Sequence, residues 1–188
     1  MKEAEILKQG GVGVIPTDTL YGIVACALNE CSVECVYTLK GRTPTKPSIV
    51  LISSSEDINL LFGIALSEKR HELVSKYWPG PVSIVLHCGD NVPEYLHRGT
   101  GTLAFRVPNY PELRTFLLES GPLIAPSANP EGLPPATTVE EAREYFGDTV
   151  DFYIDGGKRA GMPSTLIAFD EHDSVIVLRD GTQTVQPI

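Results

Sequence analysis

The chain has 188 residues, 42% hydrophobic and 21% charged, with a formal net charge of −9 at pH 7. That length and composition suit one sizeable soluble core, and the acidic balance speaks against a protein that coats nucleic acid, whose phosphates call for a lysine- and arginine-rich surface. No apolar run reaches the roughly 20 residues of a membrane span, and the opening MKEAEILKQGG lacks the apolar stretch of a signal peptide, so the expected setting is the cytoplasm.

Residues 3–9 predict a short helix stopped at Gly10-Gly11, and VGVIP predicts a strand. TDTLYG reads as a loop or turn, and IVACAL is apolar without a clear period. CSVECVYTLK has helical apolar spacing and delivers its end to Lys40. SIVLIS is a strand; DINLLFG and SEKRHELVSKYW are helices, the second ended by Pro79-Gly80-Pro81. VSIVLHC and TLAFRV follow as strands, and YPELRTFLLES as a helix with proline near its start. PLIAPSANPEG is a strand that breaks into a proline-rich loop, and TTVEEAREYFG is a helix with a threonine cap and acids in its first turn. Three strand-like runs close the chain: DFYID, STLIAFD and VIVLRDG.

Elements that alternate early and cluster as strands late predict one α/β domain over residues 1–188, a mixed twisted sheet with helices packed on it. Cys31 and Cys35 share a helical face, yet no CxxC is present and Cys88 has no cysteine or histidine partner at a metal-site spacing. Reduced thiols and no protein-built metal site are therefore expected.

Five segments place polar residues at the ends of strand-like runs. PTDTLYG offers Thr17 and Thr19, and KGRTPTKPSIVLI offers Lys40, Arg42 and Lys46. Pro44 and Pro47 stiffen that second stretch towards extended conformations, so its cations sit on a loop rather than around a helix. GTLAFRVP offers Thr102 and Arg106, which share one sheet face with Ala104. PSANPEGLPPATT offers Ser127, Asn129, Thr137 and Thr138, and PSTLIAF with VLRDG offers Ser164, Thr165 and Arg179. Taken singly, each segment also suits an ordinary role: a turn, a solvated loop, or a salt bridge to Arg106. Together they supply cations and hydroxyls without a Ser-His-Asp set, a spaced pair of carboxylates or a GxxxxGK[ST] phosphate loop. Positive charge without a protein nucleophile suits phosphoryl or nucleotidyl transfer between substrates that bring their own nucleophile.

PTDTLYG, the KxR of KGRTPTKP, WPGPVSIVL, FRVP, PSAN, the ST of PSTLIAF and LRDG stand in the order found in the YrdC family, which the chain resembles from about residue 5 to residue 181. The resemblance implies an open α/β fold around a cationic cavity, in the short single-domain form. It implies synthesis of threonylcarbamoyl-AMP and pyrophosphate from L-threonine, bicarbonate or CO2, and ATP, with Mg2+ accompanying the ATP. The product would reach tRNA, as t6A, only through a separate threonylcarbamoyl-transfer complex. By that resemblance Lys40 and Arg42 are the catalytic cations. Thr19, Arg106, Ser127 and Ser164 would meet L-threonine, and Arg42, Lys46, Thr102, Asn129, Thr137 and Arg179 the nucleotide. Thr43, Ser48 and Leu51 stand where many relatives have proline, leucine and, in some, histidine. The alternatives are a carbamoyladenylate-forming module of hydrogenase maturation and an RNA-binding or ribosome-associated protein; the net charge disfavours the latter.

Overall fold

A computed structural model describes residues 1–159 and 161–186. Its nine strands are β1 (Val12–Pro16), β2 (Tyr21–Cys26), β3 (Val50–Leu51), β4 (Val82–His87), β5 (Thr102–Arg106), β6 (Leu123–Ile124), β7 (Phe152–Tyr153), β8 (Thr165–Phe169) and β9 (Val175–Arg179). They form one sheet in the order β7-β1-β2-β6-β3-β5-β4-β8-β9. The pairs β1–β7, β3–β5 and β4–β8 are parallel and the rest antiparallel, so the sheet is mixed, as expected.

Seven helices accompany it: α1 (Lys2–Lys8), α2 (Glu30–Lys40), α3 (Asp57–Phe62), α4 (Glu68–Ser75), α5 (Glu94–His97), α6 (Pro111–Ser120) and α7 (Val139–Phe146). None of the described helices is long and apolar enough to cross a membrane. The helix α5 is a single turn that the periodicity does not announce, and SIVLIS contributes only two ladder residues where a longer strand is expected.

Side-chain alternation divides the core in two. Val12, Val14, Tyr21, Ile23, Val50, Ile84, Leu103, Phe105, Ile124 and Ile167 point to one face, where α2, α3, α4, α5 and α7 cover them. Ile15, Val24, Leu51 and Leu123 point to the other, where Leu7 of α1 and Leu113, Phe116 and Leu117 of α6 cover them. Each such side chain, once buried, contributes about 1.5–3 kcal/mol. Gly13 of β1 is required at its place, since a Cβ there would lie 2.2 Å from the Phe152 ring on β7.

The second face is covered over only half its width. Past β3, Val85, Ala104, Arg106, Leu166 and Leu178, from β4, β5, β8 and β9, line a cavity.

Candidate functional site

The cavity has a volume of about 560 Å³ and is open to solvent. Its floor is the bare half-sheet, and three stretches of chain, each mostly loop, raise its rim: 17–22, 40–47 and 125–132.

The second loop begins where Gly41, in the left-handed conformation at φ 57°, ends α2 and turns the chain away. Lys40, in the last helical turn, is only 3% exposed. Its Nζ donates to the Ser127 carbonyl at 2.5 Å and to the Asn129 carbonyl, while the Lys40 carbonyl accepts the Glu131 N–H at 2.7 Å. Burial and, secondarily, the Arg42 guanidinium lower its pKa to about 8. The lysine therefore ties the two loops together as well as charging the cavity wall.

Glu131 completes this tie from the opposite side. Its Oε2 accepts the Thr43 N–H at 2.5 Å and the Thr43 hydroxyl at 3.0 Å, and its Oε1 lies 3.2 Å from Lys46 Nζ. The Thr43 N–H and the Lys46 ammonium hold the carboxyl down at about 2. Arg42 turns its Nε to the Lys46 carbonyl at 3.1 Å and its Nη2 to the Pro47 carbonyl at 2.8 Å. Asn129 is fixed by its Nδ2, which donates to Pro130 and Leu133 carbonyls, and by its Oδ1, which accepts the Ser127 hydroxyl at 2.6 Å.

At the first loop, Thr17 Oγ1 donates to the Leu20 carbonyl at 2.7 Å and accepts the Thr19 and Leu20 N–H groups, a hydroxyl-closed turn that sets Thr19 on the cavity wall. Arg106 rises from the floor beside it, 4% exposed, with Nη2 at 3.2 Å from Asp18 Oδ1 and 3.4 Å from Thr17 Oγ1. Asp18 is steadied by the Asn109 N–H at 3.0 Å on Oδ2. Burial weakens the hold of Arg106 on its proton, and Asp18 opposes that. The salt bridge is thus present, yet the buried Arg106 Nε has no hydrogen-bond partner, which costs free energy unless an acceptor meets it. A carboxylate arriving from the cavity would supply one.

The far wall depends on a β-bulge. Ile167 opposes Val177, but Leu166 opposes Arg179, so Leu178 is an extra residue on β9. Simple alternation would place Arg179 on the core face with Val175 and Val177; the bulge turns it onto the cavity instead. There its Nη2 donates to the Ser164 carbonyl at 2.8 Å, and Ser164 shares a 2.8 Å hydrogen bond with Ser83.

Of the residues expected from sequence, Thr19, Lys40, Arg42, Lys46, Thr102, Arg106, Ser127, Asn129, Ser164 and Arg179 all line this one cavity. Thr137 is not among the lining residues. Its N–H and hydroxyl both go to Glu141 Oε2, at 2.6 and 3.0 Å, beside the Thr138 cap of α7. Glu131 was not anticipated; the signal available was one acid in PSANPEG to complement KGRTPTK. The four cysteines are free thiols, and the described residues hold no group of three or more side chains suited to a metal ion.

A family model comprising Sua5, YciO and YrdC proteins, described as "Telomere recombination", matches residues 5–181. The threonylcarbamoyl-AMP synthases of Pyrococcus abyssi and Bacillus subtilis are each 34% identical, over 98% of this chain and 54% of their own. A crystal structure of P. abyssi Sua5 complexed with L-threonine superposes with a TM-score of 0.88 at 33% identity, covering 96% of this chain and 53% of the other. The chain thus spans about half the length of these relatives.

Proposed function

From the premise that the chain belongs to the Sua5/YciO/YrdC family, we propose that it makes threonylcarbamoyl-AMP from L-threonine, bicarbonate or CO2, and ATP. The observation that carries this reading is the convergence of Lys40, Arg42, Lys46, Arg106 and Arg179 on one cavity, with hydroxyls between them. Two anionic substrates need such a cavity, and the nucleophile comes from one of them. The threonine amine attacks CO2 and releases a proton, or attacks bicarbonate and releases water, to give a carbamate. A carbamate oxygen then attacks the α-phosphorus of ATP, and pyrophosphate leaves.

In this scheme Arg106 offers the edge bearing its unpartnered Nε to the threonine carboxylate, where a planar fork suits two oxygens. Thr19, Ser127 and Ser164 orient the amino acid. Lys40 and Arg42 offset the charge that gathers on carbamate and phosphate, in a partly desolvated site where such contacts strengthen. Lys46, Thr102, Asn129 and Arg179 hold the nucleotide. Mg2+ would travel with ATP on phosphate oxygens and water. Among the described residues Glu131 is the only acid lining the cavity, and both its oxygens are engaged. We assign the activity to the cytoplasm, with tRNA served only through a separate transfer complex.

Incubation of the protein with ATP, labelled bicarbonate and L-threonine should yield an adenylate of the corresponding mass and one pyrophosphate per product. Label absent from any adenylate would overturn the reading.

Lys40 gives a second expectation. Its folded pKa, about 8, lies below the ordinary 10.5. Between those values the unfolded chain carries the extra proton, so stability should rise with pH across that window. Affinity for a non-hydrolysable ATP analogue should instead fall above about pH 8, as the cavity loses one charge. Calorimetric titrations should show that decline in the wild type and a flat profile in Lys40→Met. Parallel profiles in both proteins would remove Lys40 from the nucleotide site.

A further inference from the structure

Behind the cation loop, outside the residues that line the cavity, Tyr37 is 5% exposed and packed under the loop's backbone. Its hydroxyl donates to the Lys46 carbonyl at 2.8 Å and accepts from the Ser48 hydroxyl at 3.2 Å. That same Lys46 carbonyl receives Arg42 Nε. The Arg42 guanidinium lies 5.6 Å from the Tyr37 ring centroid, and that of Arg98 only 3.7 Å from it. Arg98 reaches this place from a left-handed backbone, φ 53°, and is held by Glu34 at 2.6 Å. Its Nε and Nη2 are buried without hydrogen-bond partners, so the ring face and Glu34 are what keep the cation there.

We infer that Tyr37, backed by Arg98, is a positioning residue for Arg42: its hydroxyl orients the Lys46 carbonyl, and that carbonyl aims the guanidinium at the substrate phosphates. This rests on the nucleotide role given to Arg42 above. Two of the guanidinium nitrogens are committed to loop carbonyls, which leaves Nη1 and the outer hydrogens for a ligand. The cavity-facing geometry therefore depends on where those carbonyls sit. Pro47 confines Lys46, the residue before it, to extended backbone, yet leaves a range of rotation that needs a further constraint to fix the Lys46 carbonyl. The tyrosine hydroxyl supplies that constraint.

Tyr37→Phe keeps the ring and removes only the hydroxyl. We expect the Kd of a non-hydrolysable ATP analogue to rise about two- to tenfold, the range of one neutral hydrogen bond, with the Kd of L-threonine unchanged. Without any nucleotide, the Arg42 Nε–H, followed by NMR on arginine-labelled protein, should exchange faster with solvent than in the wild type. Arg98→Met should shift both readouts in the same direction. Unchanged Arg42 exchange in Tyr37→Phe would overturn the inference, as would equal losses for both ligands with a lowered Tm. A wild type that fails to bind the ATP analogue would count against the proposed function alone, since the exchange measurement still decides the positioning role.

Discussion

Arg106→Ala should lose threonine-dependent adenylate formation and much of its stability together. The guanidinium pairs with Asp18 inside the protein, and removing one partner of a buried pair strands the other charge at roughly 3–5 kcal/mol. That is a large share of the about 5–15 kcal/mol that holds a domain folded. The double variant Asp18→Asn with Arg106→Ala removes the stranded charge and should recover most of the lost Tm while recovering no activity. Arg106→Lys keeps the charge without the fork and should bind threonine weakly. Thermal denaturation beside the mass assay separates the two effects. Undiminished threonine affinity in Arg106→Ala would remove that residue from the amino-acid site.

Arg42→Ala should do the reverse, costing catalysis and sparing the fold. The side chain sits at the rim, half-buried, and bonds only to carbonyls of its own loop. One lost charge-assisted contact is worth about 1.5–3 kcal/mol, or roughly one to two decades in kcat/KM, and more if the contact tightens in the transition state. The Tm should move little. Turnover within a factor of two of wild type would move the phosphate contact elsewhere on the wall.

Period and punctuation made much of this fold legible. The helical spacing of CSVECVYTLK and its glycine stop gave α2 and the placing of Lys40, and alternation in TLAFRV put Thr102, Ala104 and Arg106 together on what became the cavity floor. Three things were not legible, each for a tertiary reason. IVACAL has no period because both faces of β2 are buried. The engagement of Lys46 with Glu131, and of Arg106 with Asp18, joins loops far apart in sequence that local pattern cannot pair. Thr137 resembles the other loop hydroxyls in sequence, and only the position of Glu141 reveals it as part of a helix start.

The bulge at Leu178 makes the far wall of the cavity a matter of counting. In a strand, odd and even positions face opposite ways, so one surplus residue reverses the side reached by everything beyond it. Arg179 owes its outlook to the bulge, which takes Leu178 out of that count, rather than to its own chemistry. Its strand is also the outermost of the sheet, where a bulge meets the fewest constraints from neighbours. Were the same residues paired without the bulge, Leu178 would take the place opposite Leu166 and Arg179 would turn to the core face, exchanging the cation on that wall for an aliphatic side chain.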